Sequence, residues 1–420
     1  MHQASRSTLL GSAAALALTF ATARADARSF VTLVDDGSLA GKISTTDPIT
    51  HEVLKQYDKS GARRPDVISV WTNFKMDGNA IETLFDPLGN DVTGIGLDNE
   101  YGGDGTFSTI GAPVRAILLH NDFTALDARA LRQSAPTVGF ARYLFLLELS
   151  HVWGPAVRIP VADGGAADAG AAPANDELIG FPFHWSFWMD AKGSPAGGNA
   201  WKDNGDGTFT ASGQAPSTVR YSMLDLYLMG LADASEVPPF GVLEGATVTT
   251  GQKDPLRGGP ITQMSFPWFG TAPLTATATR RMITIEDVIA TNGTRTPKKT
   301  TGPLTLGIVL MLANGTTDLD RAAIEAAFEP VAESLAPAFA DATGGRGSFT
   351  VLTNVSDDAG APDAVRADAG APLLGESPTT TSGCSAGETN GTAGKGALFL
   401  FLVALSATFF AARARRRRAR

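Results

Sequence analysis

The chain has 420 residues, 43% of them hydrophobic and 18% charged, enough for one large domain or two small ones. Formal net charge is -9, and six arginines fall in the last eight residues, so -9 less those six leaves -15 on the remainder. An acidic body repels phosphate backbones, which argues against nucleic acid as a partner. The lone cysteine, Cys384, excludes an intramolecular disulfide.

At the N-terminus one basic residue, Arg6, precedes an apolar run from Leu9 to Phe20. Two small-x-small sites follow, Ala23-Arg24-Ala25 and Ala25-Asp26-Ala27. The run is too short to span a bilayer stably, so residues 1–25 are expected to be a secretory signal peptide.

A folded body is expected over residues 29–352. Asp47-Pro48 predicts a helix to about Lys59, with an acid as cap and proline in the first turn. Val67 to Phe74 and Val114 to His120 read as strands, and the glycine-rich Tyr101 to Phe107 as a hairpin turn.

Thr137 is a possible cap for a helix over Val138 to Trp153, which Gly154-Pro155 ends. That helix is apolar nearly all round and should be buried. Glu148 and His151 nevertheless lie near its end, on one face with Leu144 and Leu147. Burying a carboxylate and an imidazole is costly without partners, so the two mark either a site or a satisfied polar pair.

Residues 163–175, rich in Ala, Gly and Asp, predict a low-complexity surface insertion. Phe181 to Asp190 then sets His184 among aromatics. Trp201 to Thr210 predicts a hairpin, Tyr221 to Leu231 an apolar helix, and Asp318 to Ala340 a long Ala/Glu-rich helix. Two acidic turns, around Asp203 and around Asp98, fail as EF-hand loops because the required ligand spacing is missing. Strands first and helices later suggest an α+β body.

Residues 353–383, with the pentad DAGAP at Asp358 and again at Asp368, predict a disordered stalk. Residues 384–420 follow as a tail: Cys384, a polar spacer, an uncharged run at 396–412, and the arginine cluster. Seventeen residues at about 1.5 Å each give roughly 25 Å, a short transmembrane span, and the arginines keep the C-terminal end cytoplasmic. Gly383-Cys384-Ser385, the apolar run and the basic end resemble the MYXO-CTERM sorting signal of myxobacterial surface proteins. The resemblance implies an envelope sorting protease acting near Cys384 and display on the outer surface. A plain single-span anchor with an incidental cysteine is the alternative, and both readings export the body to the cell envelope.

Leu147-Glu148-Leu149-Ser150-His151 resembles the HExxH motif of zincin metallopeptidases in all but its first position. The resemblance implies a zincin-like α+β body: a mixed sheet with hairpins, a buried central helix, and a helical C-terminal part. It implies Glu148 as general base and His151 and His184 as zinc ligands, with Asp225 as an alternative oxygen ligand. Met223 or Met229 would supply the methionine-containing turn of metzincins, and His120 could substitute for a missing ligand. Leu147 stands where the first histidine should be, and zinc wants at least three protein ligands. The expectation is therefore a catalytically inactive relative of metallopeptidases with no cofactor, or with zinc if the site is functional. Two alternatives remain: an active zinc endopeptidase with an atypical ligand set, and a surface module binding extracellular protein or polysaccharide through Trp185, Trp188 and Trp201.

Overall fold

The computed structural model describes residues 28–39, 46–60, 63–76, 83–87, 92–97, 114–126, 137–160, 174–175, 177–180, 183–254, 258–300, 302–352 and 382–384. The expected signal peptide, the expected hairpin at Tyr101 and acidic turn at Asp98, most of the expected insertion and stalk, and the expected span at 396–412 lie outside them. Among the described residues no helix is long and apolar enough to cross a membrane.

In chain order, the first part comprises β1 (Val31–Val34), α1 (Thr46–Lys59), β2 (Val67–Thr72), β3 (Thr83–Pro87), β4 (Ala116–Asp122) and α2 (Thr137–Ser150). Two short strands, β5 (Ile159–Pro160) and β6 (Ala174–Asn175), pair antiparallel across the base of the predicted insertion. Next come β7 (Trp185–Asp190), β8 (Gly197–Asn199), β9 (Trp201–Asp203), β10 (Thr208–Ala211) and α3 (Met223–Met229). The chain continues through β11 (Phe240–Val248), β12 (Leu274–Ile283), α4 (Ile285–Asn292), β13 (Leu304–Leu312), α5 (Asp318–Ala342), β14 (Phe349–Val351) and β15 (Ser382–Cys384).

These elements form a mixed α+β structure with two principal sheets. The first has the order β1-β13-β2-β4-β3-β15, with β14 also pairing β13. β1, β13, β2 and β4 run parallel, and β3 is antiparallel to β4. Parallel strands covered on both faces read as continuous apolar runs, as VISVWT and LTLGIVLML do. Ile68, Val70, Ile117, Leu119, Val309 and Met311 pack beneath Val53, Leu54 and Tyr57 of α1. The opposite face carries Trp71, Leu118 and Ile308 into the main core, shared with α2 and α5.

The second sheet has the order β8-β7-β11-β12-β10-β9. The predicted hairpin is β9 and β10, and its acidic residues serve the turn: Asp203 accepts from Gly205 N and Asp206 from Thr208 N. The expectation of a helical C-terminal part is corrected. After α2 the chain is mainly strand, and β13 returns to the middle of the first sheet. Ser382 and Gly383, expected in the stalk, pair with β3 in β15, Ser382 opposite Phe85 and Cys384 opposite Thr83.

Candidate functional site

α2 is buried on nearly every side because the first sheet and α5 enclose it, which explains its lack of a polar face. Its last turn tightens: Val152 N bonds Leu149 O at 3.2 Å, and Gly154 N bonds Ser150 O at 3.1 Å. Gly154 has φ 149, and a Cβ there would lie 3.3 Å from Leu228 Cδ1, so glycine lets α3 pass close beneath the turn. Tyr221 Oη donates to Leu146 O at 2.6 Å and joins the end of α2 to the approach to α3.

Glu148 is 0% exposed and His151 2%, with His151 Nε2 3.9 Å from Glu148 Oε2. His184, 3% exposed, enters from a different element just before β7. Its ring lies across that of His151, centroids 4.9 Å apart at 78°. Two imidazoles on one tetrahedral zinc, with Zn–N of about 2.0–2.1 Å, put their centroids about 5 Å apart. An edge-to-face aromatic pair falls in the same range, about 4.5–7 Å. Phe85 of β3 and Phe266 wall the pair, 5.6 Å from His151 and 5.3 Å from His184 respectively.

Burial, and secondarily the neighbouring His184, hold His151 well below the usual imidazole range. Hydrogen bonds with the backbone of Gly154 and Phe183 oppose this. At neutral pH the His151 ring is neutral, the state that a metal ligand needs.

The segment bearing His184 is fixed from behind. Trp185 Nε1 donates to Asp225 Oδ1 at 2.7 Å, while Ser222 N and Oγ donate to Asp225 Oδ2, both at 2.7 Å. Asp225 therefore caps α3 and anchors β7, and both its oxygens are used in that work. Burial pushes its carboxyl up, against the hydrogen bonds that favour ionisation. Met229 is buried in the main core and Met223 packs against it.

His120 stands apart from this pair, on β4. Its Nδ1 is 2.7 Å from Thr83 Oγ1, and its ring stacks on Trp71 at 4.0 Å. Leu147 is 3% exposed and part of the main core. Among the described residues no group of three or more His, Cys, Asp or Glu is arranged to hold a metal ion. Among the described residues the structure thus brings His184 up to His151, beside Glu148, and supplies no further ligand. Cys384 belongs to β15.

The tryptophans expected to present a binding surface are corrected to core residues. Trp185 is 1% exposed, and Trp188 and Trp201 are stacked 5.7 Å apart in the cluster on the second sheet. Indoles satisfied internally, as Trp201 Nε1 is by Phe187 O at 3.2 Å, are unavailable to a ligand. Sequence reasoning missed Phe85, Phe183 and Phe266; no residue-type pattern marks a phenylalanine as facing a histidine. No protein-family model matches the chain, and no curated protein or solved structure does either.

Proposed function

We propose that this chain is an exported, envelope-anchored protein whose body carries a reduced metallopeptidase-type centre and is catalytically inactive. The observation that carries the reading is the 4.9 Å approach of His151 and His184, beside the fully buried Glu148. A zinc ion would supply a water of lowered pKa and an electrophilic centre. His151 and His184 would hold it, and Glu148 would take the water's proton. Leu147 stands one helical turn before His151, where a third imidazole is needed. Two protein ligands are too few for tight zinc, so hydrolysis is lost while the imidazole pair is kept.

The envelope location is supported by the apolar leader and by the arginine cluster behind residues 396–412. The decisive experiment is zinc titration of the Leu147→His variant against the parent. Restoring the ligand should tighten binding by at least about 10²-fold, since each imidazole contributes strongly in a tight site. Equal affinities would overturn the metal reading.

A further inference from the structure

Among the described residues two non-glycine residues have positive φ: Lys192 at 54° and Phe183 at 61°. Lys192 sits in an exposed turn, where such a conformation costs the site nothing. Phe183 is different. It is half-buried, bulky, and the residue immediately before His184. Left-handed backbone at a bulky residue is a true outlier, and such strain persists only where its surroundings impose it.

What surrounds Phe183 is the imidazole pair. Its backbone is hydrogen-bonded with His151, and its ring stands edge-on to the same imidazole, centroids 6.4 Å apart at 73°. His184 is itself held through its backbone, where Gly180 N donates to His184 O at 2.9 Å. Gly197 lets β8 approach from the other side; a Cβ there would lie 2.9 Å from Trp185 O.

We propose that Phe183 is the positioning residue of the pair: its left-handed backbone turns one peptide group onto His151 and throws His184 across the same ring. The geometry stands on the structure alone; that the pair takes a divalent transition metal rests on the reading above. An extended backbone at this position would swing His184 off His151 and leave the His151 ring without its backbone partner. The left-handed turn at Phe183 thus keeps the pair in register.

The test compares Phe183→Ala with Phe183→Gly in the full chain. Both lose the ring, but only glycine relaxes the backbone, because it adopts either sign of φ freely. The glycine variant should therefore melt higher than the alanine variant, by about 2–4 °C. It should also hold the imidazoles closer to their parent arrangement, because it keeps the positive φ without strain whereas alanine favours the extended backbone. The chain has only 5 histidines, so histidine-selective labelling resolves each ring by NMR. The His151 and His184 signals should shift further from the parent in Phe183→Ala than in Phe183→Gly. In a Leu147→His background, Co²⁺ affinity should fall about tenfold more for alanine than for glycine. Equal displacement of the rings in the two variants would mean that the Phe183 side chain and not its backbone positions the pair, and that result would overturn the proposal. So would ring signals unchanged in both variants. If no variant takes Co²⁺, the metal reading fails alone, and the ring signals still decide the role of Phe183.

Discussion

His184 stands edge-on to His151, though the two come from different layers, one from the end of α2 and the other from the entry to β7. Each ring is part of the other's environment. His184→Phe should keep the packing and remove the electrostatic part of the depression at His151. The His151 pKa should then rise, yet stay below the ordinary imidazole value, because burial is the larger cause. Titration of the ring signals by NMR reads this directly; an unmoved or lowered value would separate the two residues.

A second coupled pair joins α3 to the segment after α4. Gly230 ends α3 at φ 74, and the buried Arg295 packs its guanidinium against it; a Cβ on Gly230 would lie 2.6 Å from Arg295 Cζ. Arg295 Nε donates to Leu228 O at 2.7 Å, and its NH1 to Pro297 O. Gly230→Ala should cost about 2 kcal/mol or more, the left-handed penalty of about 1–2 kcal/mol plus the clash. Arg295→Met removes the clashing head, so the double variant should lose less than the two single losses combined. Additive losses in chemical denaturation would mean the two do not touch.

Local chemistry made part of this fold legible. α1 carried its Asp47-Pro48 start, α2 its apolar run, the β9–β10 hairpin its Asn-Gly turn, and α5 its length. The second sheet was not legible, because β12 reads LTATATRRMI, with small and polar residues alternating weakly. β13 carried the continuous apolar run of a buried parallel strand, LTLGIVLML, but the strands on either side of it come from the far end of the chain, Val309 lying opposite Val31 of β1 and Val70 of β2. At the site, Glu148 and His151 were legible from helical spacing. The approach of His184 was a resemblance alone until the fold supplied the geometry, and the φ of Phe183 has no residue-type signature.

Topology gives a prediction independent of the site. On the proposed topology, in which residues 1–25 are a leader and the arginines behind 396–412 stay cytoplasmic, protease added to intact cells should cut within 353–381 and leave a resistant body ending near Leu352. Protection until the inner membrane is lysed would place the body inside. Fragmentation of the body before the stalk would move the domain boundary.

Acid should destabilise this protein beginning near pH 6.5, and two histidines carry the effect. Burial pushes His120 down to about 3 and His151 well below its usual range. Both are neutral in the folded chain at pH 5, whereas in the unfolded chain both would be protonated. Below the unfolded value the unfolded state binds more protons, so stability is full above about pH 6.5 and falls as the pH drops. The loss is about 1.4 kcal/mol per pH unit for each group, until its folded pKa is reached. By pH 4.5 His120 alone should have removed roughly 3 kcal/mol. Asp225 works the other way: its raised carboxyl contributes stability that is present at low pH and lost as pH rises through its folded value. His120→Gln retains a polar partner for Thr83 Oγ1 and removes the titration. The variant should be less stable than the parent at pH 7.5, through weaker stacking on Trp71, yet lose stability about half as steeply between pH 6.5 and 4.5. Chemical denaturation at pH 7.5, 5.5 and 4.5 measures both. An unchanged slope in His120→Gln would mean that water already reaches the His120 ring and that its burial contributes nothing to acid sensitivity.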